Sequence, residues 1–179
     1  KPQVILMVPM MVETIYKRLS AADPAIPKQA LAANVFGGNL KIIFTGGAHL
    51  DPFYIEKFAE YGVNIYEGYG MSECSPVISS NMPDDHKPGS IGRPLANAEI
   101  AFDDGEILVK GSSVMKGYYQ MPQETAETLK DGWLHTGDKG YLDEDGFLFI
   151  NGRVKNLIIL SNGENISPEE IENKLALGA

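Results

Sequence analysis

A single carboxylate, Asp138, follows a glycine in the stretch GWLHTGDKGY at 132–141. Gly132 and Gly137 have the separation of the two glycines that frame a phosphate-binding loop, yet Asp138 occupies the place where a lysine would meet the phosphate. The sign of the charge rules that chemistry out. A carboxylate can instead accept hydrogen bonds from two adjacent hydroxyls at once, which is how an acidic side chain reads the diol of a ribose. On spacing alone, Gly137 and Asp138 also suit a plain surface turn before a strand.

A second knot of small residues and one acid, EGYGMSECSP at 67–76, contains Gly68, Tyr69, Gly70, Met71, Ser72 and Glu73. It begins like a dinucleotide fingerprint, but Glu73 replaces the third glycine and Ser-Pro follows where a helix should. The G-x-S-x-G elbow of serine hydrolases fails as well, because Cys74 stands at its last position, and histidines at 49, 86 and 135 alone leave few bases for a triad. Taken singly, Ser72 and Glu73 fit a helix start or loop, Tyr69 a core position and Arg153 a solvated charge. The two knots together read as halves of one site.

The elements that must position them fall into two kinds. The first third alternates strands with helices: VILMVP at 4–9, then Met11, Val12, Ile15, Tyr16 and Leu19 at helical spacing. LKIIFTGGA at 40–48 is a buried strand entering a glycine turn. Asp51 and Pro52 follow as N-cap and first residue of a helix carrying Phe53, Ile55, Phe58 and Tyr61, and VNIYEG at 63–68 is a further strand. From about residue 77 short strand candidates such as AEIAF, GEILVKG and FLFING recur between Gly, Pro and Asp turns, and GYLDEDGFLFING at 140–152 reads as a hairpin turned by Asp145 and Gly146. Beyond it come a strand LIIL, a turn SNGE and a helix whose Ser167, Pro168 and Glu170 make a capping box. The expected architecture is thus α/β followed by a β-rich part.

Composition bounds the function. With 179 residues, 44% of them apolar, the chain can bury a core. Fifteen basic against twenty-four acidic residues give a net charge of -9, which disfavours nucleic acid or a polybasic membrane anchor, so an anionic ligand must be held by local donors. The one cysteine, Cys74, excludes an internal disulfide and a Cys-cluster metal site and suits a reducing, cytoplasmic compartment. No apolar run approaches the roughly 20 residues of a membrane span.

In order along the chain, FTGGAHLDP, EGYGMSECSPV, GSIGRPL, GEILVKGSSVMKGYY, GWLHTGDKGYLDEDGFLFINGRVKNLI and GENISPEEIE resemble the successive core motifs of the adenylate-forming superfamily. That superfamily includes acyl-CoA synthetases, nonribosomal adenylation domains and firefly luciferase. The resemblance runs from about residue 36 to 175, and NLIILSNGENISPEEIE is most similar to bacterial long-chain fatty acid CoA ligases. It implies a parent enzyme that activates a carboxylic acid, here a fatty acid, with ATP and Mg2+ and then passes the acyl group to coenzyme A. A carrier-protein phosphopantetheine as acceptor and a non-catalytic nucleotide-binding module are the alternatives.

The resemblance also implies roles. Gly46, Gly47 and Ala48 would line the adenine and acyl pockets, and Gly68, Tyr69, Gly70 and Met71 would form the adenine-packing segment, with Gly68 bordering the acyl tunnel. Ser72 stands in for a threonine that donates to the α-phosphate, and Glu73 matches the magnesium ligand. Asp138 and Arg153 match the ribose contacts, Lys155 the hinge, and Gly163 the thiol channel. The organisation implied is an α/β part of an AMP-binding domain over 1–76, a β-rich distorted-barrel part over 77–152, a hinge at 153–155 and the start of a small C-terminal domain over 156–179. The glycine-rich phosphate loop and the catalytic lysine of the superfamily have no counterpart in the sequence, so an internal fragment, inactive alone, is expected. Acyl chain length and oligomeric state leave no mark that can be read.

Overall fold

The computed structural model describes residues 1–154, 158–159 and 165–166. Strand β1 (Val4–Met7) leads into helix α1 (Pro9–Ser20), which starts on a proline and ends with Lys17 and Arg18 facing the negative end of the helix dipole. A second helix, α2 (Lys28–Phe36), stops where Gly37 turns left-handed. The sequence reading did not find it, since LAAN offers little periodicity between a proline-rich turn at 24–27 and the glycines at 37 and 38. Strand β2 (Ile42–Thr45), helix α3 (Pro52–Glu60) and strand β3 (Asn64–Gly70) follow. Asp51 caps α3 as expected, its carboxylate accepting the Phe53 N–H at 2.8 Å.

Strands β1, β2 and β3 are parallel neighbours; β4 (Val77–Ser80) adds to β3 antiparallel, and β5 (Arg93–Pro94) adds to β4. The compositional change near residue 77 therefore marks the switch from parallel to antiparallel pairing, while the first sheet itself continues to Pro94. The second sheet is antiparallel, ordered β10-β9-β7-β6, from β6 (Ala98–Asp103), β7 (Glu106–Gly111), β9 (Trp133–Leu142) and β10 (Leu148–Arg153). The short helix α4 (Pro122–Thr128) and β8 (Leu129–Lys130) fill the β7–β9 connection. A two-residue ladder, β11 (Ile158–Ile159) with β12 (Asn165–Ile166), completes the description. The capped helix expected after Ser167 lies outside the described residues, as do Lys155 and Gly163.

Two cores result. Val12, Leu19, Ile43, Leu50, Phe58, Val63 and Ile65 pack between helices and parallel sheet. Tyr69, Cys74, Ile78, Ile107, Val109, Leu134 and Leu148 form the second. Each fully buried Ile, Leu or Phe contributes roughly 1.5–3 kcal/mol. Strand β3 belongs to both, with Ile65 in the first core and Tyr69 in the second. It is the element that joins the halves, and the candidate site sits at its C-terminal end.

Candidate active site

The open face of the parallel sheet is uncovered: Val4 is 48% and Leu6 82% exposed, although parallel strands are normally covered on both sides. A cleft of about 610 Å³ lies along it. Its floor and rim include Gly46, Gly47, Gly68, Tyr69, Gly70, Met71 and Ser72, so seven of the residues singled out from the sequence share one cleft. Ala48, Glu73, Asp138 and Arg153 are outside that lining. Leu6, Val8, Met11, Phe44 and Val77 make the rest of the wall largely apolar.

The glycines there have reasons in the backbone. A Cβ at Gly46 would lie 2.6 Å from the Gly68 carbonyl oxygen, and one at Gly70 would lie 1.9 Å from the Pro76 carbonyl oxygen. The second contact arises because the chain doubles back: the Met71 N–H donates to Pro76 O at 2.8 Å, closing the loop that holds the one-turn 3₁₀ helix Ser72–Cys74. That loop exposes Ser72 and leaves Glu73 half-buried. Glu73 is clasped from a distance in sequence, by the Tyr118 hydroxyl donating to Oε1 at 2.7 Å and the Met115 N–H donating to its carbonyl at 2.7 Å. The Tyr118 hydroxyl is raised in pKa chiefly by this hydrogen bond. Cys74, wholly buried behind Glu73, has its thiol pushed up to about 11 by burial first and by the Glu73 charge second, which makes it a core residue and not a nucleophile.

Asp138, 69 residues from Tyr69, comes to the same place. The Tyr69 hydroxyl donates to Asp138 Oδ2 at 2.6 Å and the Arg153 Nε–H donates to Oδ1 at 3.0 Å. Asp138 is 7% and Tyr69 9% exposed, whereas the Arg153 side chain lies mostly in solvent. Burial, and then the adjacent Asp138 charge, raise the Tyr69 pKa, so the phenol stays a donor. Among the described residues each Asp138 oxygen has one partner, and a carboxylate has about four acceptor positions, so two are left that could take hydroxyl donors. The surface turn that spacing alone allowed is therefore a buried bend whose acid faces the tyrosine.

The local fold explains that bend. Across β7 and β9, Leu108 pairs with His135 but Glu106 pairs with Lys139, so Thr136, Gly137 and Asp138 bulge against the single residue Ile107. Gly137 takes φ +73°, a left-handed conformation that glycine adopts freely. The Thr136 hydroxyl donates to Ile107 O at 2.7 Å and accepts the Asp138 N–H at 3.1 Å. Arg153 lies directly opposite Asp138 in the β9–β10 register, which places the guanidinium. Sequence reading missed Thr136, Glu106, His135 and Tyr118 as parts of this arrangement. GEILVKG and KGYY were visible as motifs, but nothing local ties a residue at 106 to one at 137.

A divalent cation fits here in one mode only. Among the described residues no group of three His, Cys, Asp or Glu side chains converges. Glu73 is thus a lone carboxylate among the described residues with one oxygen free of Tyr118, a donor set that suits Mg2+ only where most of the ion's ligands come from elsewhere.

Residues 1–119 match the family model described as AMP-binding enzyme. The chain is 38% identical over 162 residues, 90% of its length, to a long-chain-fatty-acid–CoA ligase of Mycobacterium bovis, and covers 25% of that protein. It is 44% identical over 151 residues, 76% of its length, to the long-chain-fatty-acid–CoA ligase of Bacillus subtilis, of which it covers 27%. Among solved structures, the o-succinylbenzoate coenzyme A synthetase of Bacillus subtilis in complex with ATP and magnesium ion superimposes with TM-score 0.77 at 33% identity, over 97% of this chain and 36% of that one. The chain spans about a quarter of the length of these curated relatives.

Proposed function

Because the chain belongs to the AMP-binding enzyme family, we propose that it is the adenosine-facing segment of a longer ligase that adenylates a carboxylic acid and transfers the acyl group to coenzyme A. Its relatives are acyl- and aryl-CoA ligases, and an adenylate-forming fold suits both. The observation that carries the reading is the meeting of Tyr69, Asp138 and Arg153 at the end of β3, with two carboxylate acceptor positions left over.

On this reading Asp138 takes the two ribose hydroxyls, Arg153 steadies it and adds a ribose contact, and the Tyr69 ring packs against the base while its hydroxyl holds the acid in place. Gly46, Gly47, Gly68 and Gly70 let the ligand approach the backbone, as Ala48 would from the same turn, and Met71 packs beside them. The Ser72 hydroxyl donates to an oxygen of the α-phosphate. Glu73 would hold Mg2+, which when bound would supply positive charge to offset that of the phosphates. The protein's own contribution is to orient nucleotide and acid before reaction. The apolar wall of Leu6, Val8, Met11 and Phe44 favours a hydrocarbon acyl group, a fatty acid above the aromatic acid of the succinylbenzoate relatives. Lys155 would serve as the hinge and Gly163 would line the thiol channel.

The longer protein should catalyse exchange of pyrophosphate into ATP only when a carboxylic acid is added, and should form a thioester with free coenzyme A. A series of fatty acids of graded length, with o-succinylbenzoate beside them, identifies the acid. Exchange that ignores added acid, or thioester formed only on a carrier protein, would overturn the reading.

A further inference from the structure

Glu106 is a half-buried carboxylate that takes no part in the roles above, and it bridges two points of the Asp138 bulge. Its Oε1 accepts the Gly137 N–H at 2.9 Å, and its Oε2 lies 2.9 Å from His135 Nδ1. With Glu106 as the acceptor, the contact pairs with the His135 tautomer that carries a proton on Nδ1. His135 is the last residue in register before the bulge, and Gly137 is its left-handed apex. One side chain on β7 thus fixes both where the bulge begins and which way its central peptide faces. The Thr136 hydroxyl closes the remaining side through Ile107 O and the Asp138 N–H.

We infer that Glu106 is the positioning residue for Asp138: it fixes the Gly137 peptide, and through it the direction of the carboxylate that meets the ligand's ribose. The inference rests on the ribose role proposed for Asp138. Glycine at 137 has no side chain to restrain it, so without the Glu106 acceptor the 137 peptide can rotate and carry the next residue's side chain with it. A β-bulge of this kind re-aims one side chain while the flanking ladder stays paired, which separates aim from stability. Among the described residues the Glu106 carboxylate hydrogen-bonds to His135 and Gly137, and to no residue given a ligand-binding role above.

The test measures equilibrium binding of AMP and of 2′,3′-dideoxy-AMP to the longer protein, comparing wild type with Glu106→Ala, Glu106→Gln and Glu106→Asp. Glu106→Ala should bind AMP about tenfold more weakly and bind the dideoxy analogue unchanged, so that discrimination between the two falls toward unity. Glu106→Gln keeps the acceptor for the Gly137 N–H at the same reach, its amide NH2 donating to His135 Nδ1 once the imidazole carries its proton on Nε2, and should stay within about threefold of wild type on both ligands. Glu106→Asp is one methylene shorter, cannot span both points, and should resemble the alanine variant. If Glu106→Ala does not fold, the glutamine and aspartate variants decide by the same ratio. Unchanged ribose discrimination in Glu106→Ala or Glu106→Asp, or a glutamine variant as weak as the alanine one, overturns the inference. Asp138→Ala runs alongside: if it discriminates poorly while the Glu106 variants do not, only the positioning role falls, and if it too matches wild type, the ribose reading falls and takes this inference with it.

Discussion

The two halves of the molecule contribute to the candidate site by opposite means. The parallel half presents backbone: an uncovered sheet face, a cleft rimmed by Gly46, Gly47, Gly68 and Gly70, and strands so close that a methyl group at Gly70 would overlap a carbonyl. The antiparallel half presents charge, with Asp138, Arg153 and Glu106 each fixed by cross-strand partners. Shape comes from one sheet and polarity from the other. Strand β3 is where they meet, because Tyr69 leaves the first sheet to donate to an acid carried by the second. The difference teaches that the cleft side should tolerate changes of charge better than changes of volume, and the bulge side the reverse.

The largest effect expected from breaking this contrast is on the cleft side. Gly70→Ala puts a Cβ 1.9 Å from Pro76 O and within 3 Å of two further backbone atoms, a clash that side-chain movement cannot relieve. Thermal or denaturant unfolding should show a loss upwards of about 3 kcal/mol. A loss below about 1 kcal/mol would mean that the 71–76 loop is not held as described.

A second test sharpens the comparison by using the one buried carboxylate on the parallel half. Glu67 is 8% exposed, faces a small cavity of about 110 Å³ beneath α3 with Ile55, Ile65 and Asn81, and has no cationic partner among the described residues. Burial pushes it up to about 7, opposed only by a hydrogen bond from the Leu50 amide. The folded chain therefore holds this proton more tightly than the unfolded chain does. Stability should fall as pH rises from the ordinary glutamate range near 4 to about 7, by at most about 1.4 kcal/mol per pH unit, and this penalty is absent below that window and complete above it. Glu67→Gln should flatten the slope; denaturation midpoints across pH 4–8 that keep the wild-type slope would contradict the assignment.

The smallest effect belongs to the bulge. Thr136→Val removes the hydroxyl that donates to Ile107 O and accepts the Asp138 N–H, and should cost about 1–2 kcal/mol in unfolding experiments. No change would show that the bulge keeps its shape without that hydroxyl.

The same contrast governs what could be read from the sequence. Helical spacing from Met11 to Leu19, the Asp51-Pro52 cap and the 140–152 hairpin are local signals, and the elements stand where those signals put them. Helix α2 was missed because its apolar residues form no clear stripe. Tyr69 and Asp138 were legible as residues suited to a nucleotide, and they do come together. Why Asp138 points at Tyr69 was not legible, because the cause is a register slip between strands some 30 residues apart, held by Glu106 and Thr136. Such a slip leaves only a glycine in the sequence, and Gly137 alone also spells a turn.

The most direct test of a shared ribose site is a cycle in which Asp138→Ala is combined with removal of both ribose hydroxyls from the ligand. In wild type, AMP should bind at least about tenfold more tightly than 2′,3′-dideoxy-AMP, and in Asp138→Ala the two should bind alike. Full discrimination retained by the variant would contradict the claim.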